Sequence, residues 1–335
     1  VIIEQLISTF PFVTKADHAV ALSAILTALD RRSMATAPLH AFTAPLAGTG
    51  KSLLVDLVAM LAIGRPMPVI AQGRSEEELE KRLGAAMLHG DQLVSIDNCD
   101  HVLQSAFLCQ ALTQQRLIIR ELGLSRNIET PVNAAIYATG NNLTIAGDLN
   151  RRTLLCSLDA KCEHPEQRQF TGNLIEYVKE NRGVLVTAAL TVLRAWHASG
   201  QVRGLAPLGS FEEWSQRVRE PLVWLGRADP CKTMLKVKDN DPARLNLSIV
   251  LVQWKEHLGT DPYKVQEVIN RAVNVADFHL ALANATHTRS DKVVGNMQLG
   301  RWLKKIEGRI VDGLMLNQTG NTAGYPIWSL TQVIE

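Results

Sequence analysis

Pro45-Leu46-Ala47-Gly48-Thr49-Gly50-Lys51-Ser52 follows a short apolar run, His40-Ala41-Phe42-Thr43-Ala44, and opens an amphipathic one that continues to Ile63. A strand that turns through small residues into a helix builds an anion cradle. Successive backbone N–H groups close around phosphate oxygens, and the positive end of the helix dipole faces the same charge. Gly48 and Gly50 supply the backbone freedom, Lys51 the point charge for terminal phosphates, and the Ser52 hydroxyl a magnesium ligand, as in the pattern G-x-x-x-x-G-K-[ST]. Pro45 stands where the first glycine of that pattern belongs, and it fixes φ and donates no N–H, so the loop entrance departs from the commonest form. Ala47, Gly48, Thr49, Gly50, Lys51, Ser52 and Leu53 are the expected nucleotide contacts; a chance glycine-rich turn is the alternative.

Outward from that loop, 335 residues with 46% hydrophobic content predict a globular chain of two or three domains. A net charge of +2 gives no overall field toward nucleic acid, so any such contact must come from local basic patches. Five cysteines without a C-x-x-C pair fit reduced thiols and a cytoplasmic setting; Cys156, Cys162 and His164 lack zinc-ligand spacing. No stretch is apolar for long enough to span a bilayer, no secretory signal opens the chain, and a start at Val1 reads as a piece of something longer.

The pattern predicts a helix over Ala19–Leu29, then strands at 40–44, 67–71, 93–97, 117–122 and 134–139. Helices alternate with them over 52–63, from the capping signature at Ser75 to Leu88, and over 104–114. Such alternation predicts a mainly parallel sheet whose ligand sits at the carboxyl ends of its strands. After Leu158 the texture is helical, with helices over 166–180, 184–199 and 210–225, a polar connector over 229–242, and further helices to about Leu282. From Asn296 a basic helix, apolar alternation around 310–316, a turn over 318–324 and a strand at 327–330 read as a winged-helix-like module. The expected divisions are a nucleotide-binding core over 1–160, a helical lid with connecting helices over 161–285, and the winged module over 286–335. The tryptophans at 196, 214, 224, 254 and 302 lie on helical apolar stripes and read as packing.

A phosphate loop needs an acid on a neighbouring strand to order magnesium, and Leu93-Val94-Ser95-Ile96-Asp97 ends in one. Asp97 is the expected partner of Ser52 at the metal; without the phosphate loop it would read as a turn-capping Asp. The next position is Asn98, which orients a water but cannot take its proton. Hydrolysis is therefore the step in question, with Asp100 or another acid the compensating group. Asn141 ends the next buried strand, where it touches a γ-phosphate or the attacking water, unless it is only a turn amide beside Gly140. Arg151-Arg152 is either a solvated pair or the source of an arginine finger for a neighbouring subunit's nucleotide.

With these elements in order, residues 16–225 resemble the AAA+ ATPases, and within them the ATPase part of helicases and of primase-helicases of phages and mobile elements. Ile96-Asp97-Asn98-Cys99-Asp100 is similar to the acidic strand end of minichromosome-maintenance helicases, departing at Asn98. Ala138-Thr139-Gly140-Asn141 is similar to their sensor-one segment, and Leu149-Asn150-Arg151-Arg152 to their finger. The resemblance implies a homo-oligomeric ring, most often a hexamer, with ATP and Mg2+ held between subunits under a helical lid, and an upstream primase segment as a further partner. The lid should carry a sensor arginine, for which Arg219 is the candidate; Arg217, Arg182 or plain surface charge explain the same letters. A hairpin before the sensor strand would grip DNA through Arg120 and Arg126; an ordinary surface hairpin reads equally well. The carboxyl-terminal module offers Arg301, Lys304, Lys305 and Arg309 to a duplex groove or phosphate track. The implied function is an ATP-driven DNA motor. Its rivals are a nucleotide-gated, DNA-bound assembly factor with weak turnover and a small-molecule kinase on the same loop.

Overall fold

The computed structural model describes residues 2–121, 126–168, 172–201, 204–322 and 324–333. It divides into two compact units, Val1–Lys238 and Asp239–Glu335. Among the described residues no helix is long and apolar enough to cross a membrane.

In the first unit α1 (Ile2–Ile7) and α2 (Lys15–Asp30) precede β1 (Leu39–Ala44), α3 (Lys51–Ile63), β2 (Val69–Ala71), α4 (Glu76–His89) and β3 (Leu93–Asp97). Next come α5 (Ala106–Thr113), β4 (Arg116–Arg120), β5 (Asn127–Pro131), β6 (Ala135–Asn141) and β7 (Thr153–Ser157). The unit continues with α6 (Leu174–Ser199), α7 (Glu212–Trp214), a π turn over Ser215–Arg219, α8 (Glu220–Trp224) and α9 (Thr233–Asp239). Five strands form a sheet in the order β2-β3-β6-β1-β7, every pair parallel. This is the mixed α/β, P-loop-like core that the alternation of strands and helices predicts. Every strand of it but β2 is buried on both faces, so β1 and β6 read as near-continuous apolar runs rather than alternating ones.

Local chemistry sets several boundaries. Thr14 caps α2 by accepting from the Asp17 N–H at 3.2 Å, while its own N–H donates to the Asp17 carboxylate at 2.9 Å. The other Asp17 oxygen accepts from Ser157 N–H at 2.7 Å, so one buried carboxylate both starts a helix and holds β7. Ser75 caps α4 as expected, but Glu78 reaches back to the N–H of Arg74 rather than to that of Ser75.

Three expectations are corrected. The helices foreseen over 166–180 and 184–199 are one 26-residue helix, α6, which starts at Leu174 behind an Asn173 cap. Gly183 lies inside it at an exposed position; its cost of about 1 kcal/mol is offset where Val178, Leu185 and Ala189 bury into the core. The polar stretch over 229–242 is not a plain connector. Asp229 caps a short turn, and α9 docks on β7, with Thr233 Oγ1 accepting from Leu155 N–H at 3.2 Å and Lys236 Nζ donating to Ser157 Oγ at 2.9 Å.

The third correction concerns the division at 285/286. The second unit holds α10 (Pro242–Leu258), β8 (Tyr263–Lys264), α11 (Val265–Ala272), α12 (Ala276–Ala285), α13 (Asn296–Ile306), β9 (Leu314–Thr322) and β10 (Tyr325–Gln332). Its antiparallel sheet runs β8-β10-β9, a winged-helix-like order, and one core gathers Leu247, Trp254, Phe278, Leu299, Leu303, Leu316 and Trp328. Helices α10 to α12 thus share one core with α13 and the β9–β10 hairpin. The turn expected over 318–324 is shorter, since Thr322 already pairs with Tyr325. Polar side chains along that ladder hide it from any apolar alternation.

Candidate functional site

Because β6 lies between β1 and β3, the carboxyl ends of all three strands meet along one edge. Asn141 pairs in register with Ala44, the last residue before the phosphate loop, and Thr139 sits beside the end of β3. Gly48 and Gly50 take φ of +74° and +102°, the left-handed region where glycine is unstrained, and Gly50 leads directly into the 13-residue α3. Lys51 Nζ donates to Asn141 Oδ1 at 2.7 Å and to the Leu46 carbonyl at 3.2 Å. Burial pulls the Lys51 amine below its ordinary value, and the Asp97 carboxylate opposes that shift.

Thr139 Oγ1 donates to Asp97 Oδ1 at 2.6 Å and accepts from Asn98 N–H at 3.1 Å. One hydroxyl therefore fixes both residues of the acidic strand end. Asn98 has φ of +52°, a left-handed conformation that asparagine tolerates better than glutamate does. Gly140 is demanded by sterics: a Cβ there would lie 2.5 Å from the Cys99 carbonyl oxygen. The backbone at the end of β3 thus crosses directly over β6.

A cavity of about 1340 Å³ opens over this edge. Ala47 through Leu53, Asp97, Asn98, Thr139 and Asn141 line it, so the residues singled out in the phosphate loop and both strand ends share one space. The Ser52 side chain is exposed toward it, within a set of hydroxyl and carboxylate oxygens that suits magnesium. Asp100 is not among the lining residues; it pairs with His101 at 3.5 Å.

Sequence reasoning missed the opposite wall. Leu6, Thr9, Phe10 and Pro11 come from the amino-terminal segment, and Asn173, Leu174, Glu176, Tyr177 and Glu180 from the start of α6. Phe10 packs on the phosphate loop, its ring within 3.2 Å of where a Gly50 Cβ would stand. The aromatic run Phe10-Pro11-Phe12 ahead of the Thr14 cap was the available signal.

The arginines sort differently from expectation. Arg219 does not reach the cavity: its side chain is 7% exposed and held by Asp229 at 2.6 and 2.9 Å and by the Ala206 carbonyl at 2.8 Å. Those bonds raise its pKa and leave no face for a ligand. Arg217 pairs with Asp30, and Arg182 donates to the carbonyls of Met60, Leu61 and Ala62 at the end of α3. Arg168 is the arginine among the described lining residues, and it donates to the Thr9 carbonyl at 3.1 Å. Asp148 binds both members of the expected finger pair. Arg152, its side chain 12% exposed, turns inward to the Cys109 carbonyl, while Arg151, 63% exposed, stays at the surface.

Strands β4 and β5 form a separate two-stranded hairpin with Leu117 and Ile119 buried and Ile118 exposed. Arg120 and Arg126 are exposed near its end, and Arg116 pairs with Glu129 at 2.7 Å. The expected turn at Gly123 lies outside the described residues. Arg301, Lys304 and Lys305 lie on the exposed side of α13; Lys304 bonds Glu307 at 2.7 Å.

Fold and site together define an α/β protein with a P-loop-like core. The chain is similar to the A-form apo structure of the NrS-1 C-terminal region, with a TM-score of 0.49 and 13% identity over 99% of this chain and 75% of that one. It is similar also to an A-form apo structure of that region described as CTR(305-718), with a TM-score of 0.48 and 11% identity over 98% and 75% of the two chains. No protein-family model and no curated protein matches it. At this distance function has to be read from the site itself.

Proposed function

We propose that this chain is an ATP-driven DNA motor, the helicase part of a phage or mobile-element replication protein, which hydrolyses ATP between the subunits of a hexameric ring. The observation that carries the reading is the Lys51–Asn141 bond beside the Thr139–Asp97 bond, at the mouth of a cavity large enough for a nucleotide. In this reading the N–H groups of residues 47–53 cradle phosphates, and Lys51 exchanges the Asn141 oxygen for a phosphate oxygen. Ser52 and Asp97 would hold magnesium, which supplies charge neutralisation to the transferring phosphate. Asn141, released from Lys51, orients the attacking water, and the exposed Arg151 of one subunit stabilises transition-state charge in the next. Arg120 and Arg126 of the hairpin and the basic side of α13 meet the DNA backbone.

The test is phosphate release by the full chain with and without DNA. Lys51→Ala should lower DNA-stimulated release by about 10²-fold or more. Unchanged release would overturn the assignment.

One observation favours a second reading, a nucleotide-gated, DNA-bound assembly factor with little turnover: Asn98 occupies the place beside Asp97 where a proton-accepting carboxylate would stand. In that case the unsubstituted chain binds ATP yet releases little phosphate even on DNA.

A further inference from the structure

The second unit segregates its charge. Residues 289–309 hold six Lys and Arg against two Asp and Glu, whereas the rest of the unit is net acidic. Both acids of this segment are taken up locally: Asp291 by Arg289 at 2.9 Å, and Glu307 by Lys304 at 2.7 Å and the Gln318 N–H at 3.4 Å. That leaves Lys292, Arg301, Lys305 and Arg309, all exposed and with no side-chain partner among the described residues.

We infer that this face of α13 is a docking surface for duplex DNA that reads phosphates and not sequence. The inference deepens the DNA-acting reading above by naming the partner's form and the residues that meet it. Arg301 and Lys305 are one helical turn apart, so their charges project from neighbouring positions on one side of the helix. Leu299, Leu303 and Ile306 bury the opposite side, which locks that orientation. Gly300, beside Arg301, adds no side chain to hold a large ligand away. A helix of this diameter fits the major groove of B-form DNA, with the chain before it and the turn after it, carrying Lys292 and Arg309, within reach of the flanking backbone.

The same face argues against a single strand. Sequence-tolerant binding of unpaired bases needs aromatic platforms, yet Trp302 packs against the unit's core and no other aromatic lies on α13. Glu307 also ties Lys304 and the backbone of β9 together, which holds the β9–β10 hairpin at the end of α13 as a rigid second edge.

The experiment is equilibrium binding of the full chain, without nucleotide, to fluorescent duplex and single-stranded oligonucleotides of equal length across a salt series. Duplex should bind at least tenfold more tightly, with a log–log salt slope to which the four cations contribute about −3 to −4. Arg301→Ala with Lys305→Ala should flatten that slope by about 2, whereas Lys255→Ala, the loss of one charge on α10, should leave it unchanged. Thermal melting of each variant separates loss of binding from loss of fold. Preference for the single strand, or an unaltered slope in a folded double variant, would overturn the inference. Because no nucleotide is present, its failure is distinct from that of the ATPase reading, which the Lys51→Ala assay decides.

Discussion

At the carboxyl edge of the parallel sheet Lys51, Asp97, Thr139 and Asn141 already have partners, whereas on and beside the outer side of α13 four cations have none among the described residues. Lys51 holds Asn141, and Thr139 holds Asp97 and the Asn98 N–H. Lys292, Arg301, Lys305 and Arg309 stand in water. The first arrangement is preorganised: a small ligand exchanges bonds one for one, in fixed geometry, inside a partly desolvated cavity. The second suits a polyanion, whose binding draws on counterion release and tolerates imprecise placement. Substitutions should therefore be felt as geometry and stability in the first region and as bare charge in the second.

The largest effect that would sharpen this contrast is at Arg151. Arg151→Ala should cut ATP turnover by about 10³-fold if Arg151 acts across a subunit boundary. Denaturant unfolding should change by less than about 1 kcal/mol, because the Asp148 pair is solvent-exposed. Activity that survives the substitution would remove the trans role.

Arg219→Ala should behave in the opposite way. It strands Asp229 beside a buried site, so urea unfolding of the first unit should show a loss of about 3–5 kcal/mol. A turnover defect in a protein of full stability would restore Arg219 to the nucleotide site.

Acid is the third probe. His40 is fully buried, accepts or donates a bond with Ser23 Oγ at 3.0 Å, and burial pushes its pKa from 6.5 down to about 3. Above about pH 6.5 the ring is neutral in both folded and unfolded chains. As pH falls from there toward 3, the unfolded chain takes a proton that the folded one refuses, and stability drops by up to about 1.4 kcal/mol per pH unit. Urea titrations at pH 6.5 and 5 should show this slope, and His40→Gln should flatten it. The Asp229 carboxylate, whose pKa is lowered by the Arg219 bond against the opposing effect of burial, adds its own loss only below about pH 4.

The smallest effect belongs to α13. Arg301→Ala should shift the unfolding free energy of the second unit by no more than about 0.5 kcal/mol, since it is exposed and has no partner among the described residues. A larger loss in calorimetry would mean that this face is structural, and the contrast between the two regions would fail.

Much of this was legible before any coordinates. The strand–loop–helix around Gly48–Ser52 and the acid ending β3 are local patterns, written in backbone freedom and apolar run length. The burial of Leu299, Leu303 and Ile306 follows from helical spacing, which also sends Arg301 and Lys305 outward. Other features were not legible for a common reason. Phe10 meets Gly50, α10 joins α13, and Arg219 chooses Asp229 through tertiary contacts that leave no periodic trace.

By itself the sequence determined that a glycine-rich strand–loop–helix, an acidic strand end and a polar strand end exist in that order, because turn chemistry and periodicity are properties of neighbouring residues. Only the tertiary structure decided that β6 lies between β1 and β3, which is what brings Asn141 to Lys51 and Thr139 to Asp97. It alone separated Arg151, left at the surface, from Arg152, turned inward. The physical reason is that strand order and side-chain partnership are settled by which buried surfaces fit and which charges must be satisfied, and both depend on residues far apart along the chain.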